Sequence, residues 1–201
     1  MKTRFPHAYV LNVVADDHPG IISVVSGVIV SLRGNIDACS QTVLGGYFTQ
    51  ILVVSLPEPI EPDALAKMVH ETQSKGAGLQ VVARSFQPPA PPPRHEKIDT
   101  FVITAFGPDQ PGIIHRFSQY LSGKDINIVD LYWDSSDGDF VLVSQVEIPA
   151  RWEIRLLQAD LEELARELGF AVRLQHENIF VATNQLRLTR THIPAGPAAG
   201  A

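Results

Sequence analysis

The chain has 201 residues, 45% of them hydrophobic, and a formal net charge of −6 with acidic and basic residues interspersed. That is room for one large domain or two small ones with packed cores; no basic stripe runs along it, which speaks against a surface built to neutralise a phosphate backbone. The single cysteine, Cys39, excludes an internal disulfide and fits a reducing compartment, most simply as a small buried hydrophobe.

Residues 1–6 lack an apolar run followed by a small-residue cleavage site, so no secretory signal is expected. The longest apolar stretch, 21–32, is broken by Ser23, Ser26, Gly27 and Ser31. It falls short of the roughly 20 apolar residues that cross a bilayer. A soluble, cytoplasmic protein with no membrane partner is the expectation.

The elements follow in order. Residues 9–15 are Val-rich and read as a buried strand. Asp17-His18-Pro19 stops it, and Pro is favoured at the opening of a helix, where its missing N–H costs nothing. Ile21, Val25, Val28 and Leu32 then recur at helical spacing, and Gly34 is the expected C-terminal glycine. The helix is rich in β-branched residues, so packing rather than propensity must hold it. Residues 36–43 form the next strand, Gly45-Gly46 a tight hairpin turn, and 48–56 the returning strand. Pro57-Glu58-Pro59 breaks it. A second helix is expected over 63–75, ending at Gly76, and a last strand over 79–86.

The pattern then starts again. Adding 92 to each number from residue 9 onward keeps two copies in register without a gap. Asp17, Pro19, Gly20, Ile21 and Ile22 meet Asp109, Pro111, Gly112, Ile113 and Ile114; Asn35-Ile36 meets Asn127-Ile128; Gly46, Phe48 and Pro57 meet Gly138, Phe140 and Pro149. In the second copy Ile113, Phe117, Tyr120 and Leu121 repeat the first helix, which ends near Gly123. Asp137-Gly138 is the hairpin turn. Leu157, Leu161, Leu164 and Leu168 give a clear apolar stripe ending at Gly169, and 171–175 is the last strand. The boundaries expected are 1–87 for the first domain, 88–97 for a Pro-rich semi-rigid spacer, 98–182 for the second domain and 183–201 for a flexible tail rich in Pro and Gly.

Each copy is β-α-β-β-α-β. That order builds a ferredoxin-like α+β domain, a four-stranded antiparallel sheet with both helices on one face and the other face open. A copy of about 80 residues has a modest core and gains by pairing with its twin.

The repeated turn has chemistry of its own. A helix opening presents unpaired N–H groups and partial positive charge, which suit a carboxylate. Gly20 and Gly112 let a ligand approach the backbone. Asp17 and Asp109 can accept hydrogen bonds from an ammonium group. Asn35 and Asn127 begin the second strands. The first helix is expected to join adjacent strands, which would let each Asn approach a neighbouring copy's turn. Together these groups suit a free α-amino acid. Taken singly, each Asp is as readily a helix cap and each Asn a turn residue.

The pattern strand, Asp-x-Pro-Gly-Ile, helix, Asn-Ile, hairpin, helix, strand resembles the ACT domain. Its duplication resembles the tandem group typified by the glycine cleavage system transcriptional repressors, over nearly the whole chain apart from spacer and tail. The resemblance implies a small regulatory module that binds amino acids between two copies. It implicates Asp17, His18, Gly20, Ile21, Asn35 and Ile36 in one copy. In the other it implicates Asp109, Gln110, Gly112, Ile113, Asn127 and Ile128. The copies differ at His18 against Gln110 and Gly34 against Ile126, so one site is open to alteration. It further implies a transcription factor as protein partner; a metabolic enzyme is the partner on the alternative of a regulatory subunit.

No catalytic constellation, metal set or cofactor motif is expected. His70-Glu71, His95-Glu96 and His176-Glu177 do not extend to His-Glu-x-x-His. Asp16 has Pro108 opposite it, which argues against a shared carboxylate pair. Trp133 and Tyr132 lie on a strand and read as core or as a contact surface. The leading expectation is a non-enzymatic sensor of a glycine- or serine-class amino acid that modulates a partner, with homodimers plausible and no direct nucleic-acid contact. The alternatives are a ligand-free interaction module and a detached regulatory subunit of a biosynthetic enzyme.

Overall fold

The computed structural model describes residues 1–72, 78–87 and 97–185. The end of the expected helix at 73–76, the spacer up to residue 96 and the tail beyond 185 lie outside the described residues. The chain divides between residues 91 and 92 into two compact units.

The first unit runs β1 (His7–Asp16), α1 (Ile21–Ser31), β2 (Asn35–Leu44), β3 (Tyr47–Leu56), α2 (Pro62–Glu71) and β4 (Gln80–Ser85). The second repeats it as β5 (Ile98–Pro108), α3 (Ile113–Ser122), β6 (Asn127–Ser136), β7 (Asp139–Pro149), α4 (Ile154–Leu168) and β8 (Ala171–His176). Each unit is a four-stranded antiparallel sheet, in order β2-β3-β1-β4 and β6-β7-β5-β8. This is the ferredoxin-like α+β architecture expected from the element order. One expectation fails. The first helix does not join adjacent strands, because β3 lies between β1 and β2, and β7 between β5 and β6.

Period-two alternation decides what each sheet buries. Tyr9, Leu11, Val13 and Ala15 of β1 join Ile21, Val25, Val28 and Ile29 of α1 and Leu65 and Val69 of α2 in one core. Phe101, Ile103 and Ala105 of β5 join Ile113, Phe117 and Leu121 of α3 and Leu157, Leu161 and Ala165 of α4 in the other. Both helices of a unit therefore cover one sheet face. The hairpin turns are as expected: Gly45 and Gly46 have φ of 58° and 85°, Asp137 and Gly138 of 55° and 86°, the positive pair that a two-residue hairpin requires.

The end of α1 differs in detail. The left-handed residue after it is Arg33, with φ 56°, not Gly34. A Cβ on Gly34 would stand 2.4 Å from Leu56 Cδ2 and 3.0 Å from the Ser55 carbonyl oxygen. Gly34 is there to let β2 start against β3. In the second unit Asp125 takes the left-handed place with φ 55°, while Gly123 stays right-handed. Gly169, with φ 74°, closes α4 as expected.

The second unit continues into a helix that was not expected, α5 (Glu177–Gln185). Its first residue accepts a hydrogen bond on Glu177 Oε1 from Gln145 Nε2 at 2.9 Å. Gln145 pairs with Val102 on the face away from α3 and α4. Val102 is accordingly buried, whereas its counterpart Val10 is half-buried and lines an open groove of about 450 Å³ with Asn12, Val14, Ile51, Val82 and Arg84.

Candidate functional site

Each unit presents the same strand-to-helix opening. β1 ends at Asp16, the chain turns through Asp17, His18 and Pro19, and α1 starts after Gly20, whose φ is 105°. In the second unit Gly112 has φ 96° before α3. An L side chain rarely adopts that backbone. Beyond the neighbours in the chain, no described atom lies within 4 Å of where a Cβ would stand on either glycine. The hairpin braces the turn from the side: Asp17 N–H donates to the Gly46 carbonyl at 2.9 Å, and Asp109 N–H to the Gly138 carbonyl at 2.8 Å.

The aspartates do not cap the helices. Among the described residues no side chain caps α1 or α3. The first-turn N–H groups of Ile21 and Ile22, and of Ile114, therefore have no partner within their own helix and lie at the positive end of the helix dipole, whereas the Ile113 N–H donates to the Gln110 carbonyl at 3.5 Å. Asp17 and His18 are exposed. His18 Nδ1 lies 3.0 Å from the Pro19 carbonyl oxygen and turns back on its own loop. Ile21 and Ile113 point inward and belong to the cores, so they contribute backbone rather than side chain.

The two openings differ in their surroundings. In the second unit, a cleft of about 370 Å³ is lined by residues 109–115 and by Trp133. Trp133 stacks on Phe140 with ring centroids 4.4 Å apart and planes 5° from parallel. Ser135, two residues along the same strand, donates its hydroxyl to Asp109 Oδ2 at 2.6 Å. Gln110 Nε2 reaches the Leu168 carbonyl at 3.4 Å, at the end of α4. The first unit has Gln41 and Val43 where the second has Trp133 and Ser135, and Asp17 meets no side-chain partner among the described residues. Trp133 and Ser135 were not among the expected site residues; their two-residue spacing on a strand that runs beside the turn is the signal that places them on one face.

The asparagines stand elsewhere. In the sheet ladders Asp16 pairs with Tyr47, while Asn35 pairs with Ser55, eight residues further along β3 (55 − 47). Pro108 pairs with Asp139 and Asn127 with Glu147, the same eight-residue offset (147 − 139). At about 3.3 Å per residue this is roughly 26 Å, the length of the sheet. A single unit thus brings Asp17, His18, Gly20 and Ile21 together, and Asp109, Gln110, Gly112 and Ile113. It does not bring Asn35-Ile36 or Asn127-Ile128 to them.

Each Asn is also engaged where it stands. Asn35 Nδ2 donates to Asp37 Oδ1 at 2.8 Å, and Arg4 N–H donates to the same oxygen at 3.0 Å. Phe5 N–H donates to Ser55 Oγ at 3.1 Å. Burial alone would raise the Asp37 carboxyl, but hydrogen bonds from Ser55, Asn35 and the Arg4 amide, together with the Arg4 charge, bring it below the usual carboxylate range. Asn127 Nδ2 donates to Glu147 Oε2 at 3.1 Å. Ile36 and Ile128 pack at the margins of the two cores.

Other polar groups have structural roles. His70 Nδ1 lies 2.8 Å from the Leu79 carbonyl oxygen, and His176 meets the Phe101 ring edge-on. Lys124 lies over the rings of Trp152 and Tyr120 and pairs with Asp160 at 3.0 Å. Burial, then the Asp160 charge and hydrogen bond, push the Tyr120 phenol above its ordinary range. Among the described residues no group of three or more His, Cys, Asp or Glu is arranged to hold a metal ion. No described helix is long and apolar enough to cross a membrane.

Two ferredoxin-like units, each with an uncapped helix opening led by a left-handed glycine, define a tandem α+β module built around a repeated turn. The family model described as the ACT domain matches residues 99–175. Relatives of the same size as one unit match well: a UPF0237 protein of Methanococcus maripaludis is 33% identical over 84 residues, 41% of this chain and 93% of its own length. One of Methanosarcina acetivorans is 30% identical over 81 residues, covering 40% and 88%. The chain belongs to the ACT domain family. Two solved structures share the fold over most of the chain. A Galdieria sulphuraria protein of unknown function has a TM-score of 0.69 at 23% identity, covering 85% of this chain and 98% of its own. A protein assigned as a glycine cleavage system transcriptional repressor has a TM-score of 0.59 at 18% identity, covering 84% and 96%.

Proposed function

We propose that this chain is a non-enzymatic regulatory protein that binds a small amino acid of the glycine or serine class at its ACT helix openings and thereby modulates a protein partner. The observation that carries the reading is the opening itself, present twice. An ammonium-binding carboxylate stands beside first-turn amides that no side chain caps, behind a glycine that leaves the backbone bare. The ligand's carboxylate is received by the amides of residues 21–22 or by that of residue 114, and its ammonium by Asp17 or Asp109. Asn35 and Asn127 act on a ligand only from a different ACT unit, since their own opening lies at the far end of the sheet. A partner transcription factor in amino-acid metabolism fits the resemblance to the repressor group; a metabolic enzyme is the other candidate.

Calorimetry against a panel of free amino acids tests the reading. A binder among the small amino acids is expected, and a folded protein that binds no member of the panel overturns it. One observation favours a ligand-free interaction module instead: both asparagines are already hydrogen-bonded within their own unit. Thermal denaturation separates the two, because a ligand specific to the native state must raise stability.

A further inference from the structure

The hydrophobic layer of the first unit contains one amide. Gln50 lies on β3 among core residues and is 2% exposed. Its Nε2 donates to Cys39 Sγ at 3.1 Å. Its Oε1 is buried and, among the described residues, accepts no hydrogen bond. An unfilled buried acceptor is unfavourable and calls for a reason. The fold does not require it: the second unit closes the same place with Leu142, 1% exposed, and has Leu131 in the place of Cys39. The first unit therefore carries a polar pair where its twin is apolar. Cys39 itself is exposed on β2, an edge strand whose residues from Ala38 onward are open to solvent. An interior amide with a spare oxygen thus meets the thiol of an exposed residue on the sheet edge.

We propose that Cys39 is a site of reversible thiol oxidation by hydrogen peroxide, with Gln50 as its positioning residue. The Cys39 thiol gives its proton to solvent and the thiolate attacks one peroxide oxygen; the S–O bond forms as the O–O bond breaks, and the hydroxide that leaves becomes water with the proton the thiol released. Sulfur is oxidised by two electrons and peroxide is reduced by two, leaving a sulfenic acid. Gln50 Nε2–H donates to the thiolate during attack, and the idle Oε1 of the same amide supplies an acceptor for the new S–OH. A thiol held this way persists as sulfenic acid long enough to be captured, and a thiol reductant restores it.

The test uses the full chain under dilute peroxide with dimedone as the trap, read by intact mass and peptide mapping. A single adduct on Cys39 is expected, formed faster than on free cysteine, and none on Cys39→Ser. Gln50→Leu, which copies the second unit, is expected to slow adduct formation about tenfold, the worth of one hydrogen bond to a charged group. Equal rates for Gln50→Leu and the parent chain overturn the proposal. So does a Cys39 in the parent chain that reacts no faster than free cysteine, a comparison that holds whether or not Gln50→Leu folds.

Discussion

Asp17 and Asp109 stand three residues before the cap positions, which Gly20 and Gly112 occupy, and neither caps its helix. Replacing either by Ala therefore removes no cap. Asp17→Ala is expected to change stability by less than about 0.5 kcal/mol, as for an exposed residue without partners, while abolishing amino-acid binding at its opening; denaturation and calorimetry on the same sample check both halves. Gly107 is the opposite case. A Cβ there would stand 2.6 Å from Phe170 Cβ and 2.8 Å from its Cα. Since backbone cannot step aside, Gly107→Ala is expected to destabilise the second unit by about 1–3 kcal/mol in urea titrations. Asp37 provides a pH signature. Its folded carboxyl is held below the 3.8 of a free side chain, so the stability it contributes is complete above that value and is lost as pH falls through the lower folded one. Melting temperatures of the parent chain and Asp37→Asn are expected to differ at neutral pH and converge in acid. The duplicated Asp-x-Pro-Gly made these openings legible in the sequence. The Ser135 contact and the Trp133 wall were not, because they depend on which strand lies beside the turn.

At the scale of elements, hydrophobic period carried most of the information. The Leu stripe of α4 is buried at Leu157 and Leu161 as its spacing requires, and Leu161→Ala is expected to cost about 2–5 kcal/mol, measurable by chemical denaturation. Most strand ends moved outward by one or two residues, since ladder pairing continues past the apolar run, as where β1 begins at His7 and ends at Asp16; β4, expected over 79–86, is instead shorter, Gln80–Ser85. The left-handed residues after α1 and α3 are Arg33 and Asp125, so a glycine near a helix end was a sign of tight packing at Gly34 rather than of backbone handedness. α5 escaped notice for a physical reason. Its sequence, Glu-Asn-Ile-Phe-Val-Ala-Thr-Asn-Gln, is rich in weak helix formers, and what it gains comes from the sheet face beneath it. Strand adjacency was misread: the expected neighbours β1 and β2 are separated by β3, the split that the ferredoxin-like element order itself carries.

For the molecule as a whole, the 92-residue offset was the most informative feature of the sequence, because an intact repeat fixes two copies of one topology at once. Each unit encloses its own core. A chain beginning at residue 97 is accordingly expected to fold alone with a single cooperative transition in calorimetry. The units are nonetheless no longer equivalent. Asp109 already holds the Ser135 hydroxyl at 2.6 Å, whereas the Asp17 carboxylate has no side-chain partner among the described residues. On the proposed reading, an incoming ammonium displaces the Ser135 hydroxyl at Asp109 and no side chain at Asp17. Breaking one hydrogen bond to a charged group weakens capture about tenfold. A gradual rise in metabolite would then fill one half of the chain first and the other an order of magnitude later, so that a single polypeptide registers scarcity and abundance as separate thresholds.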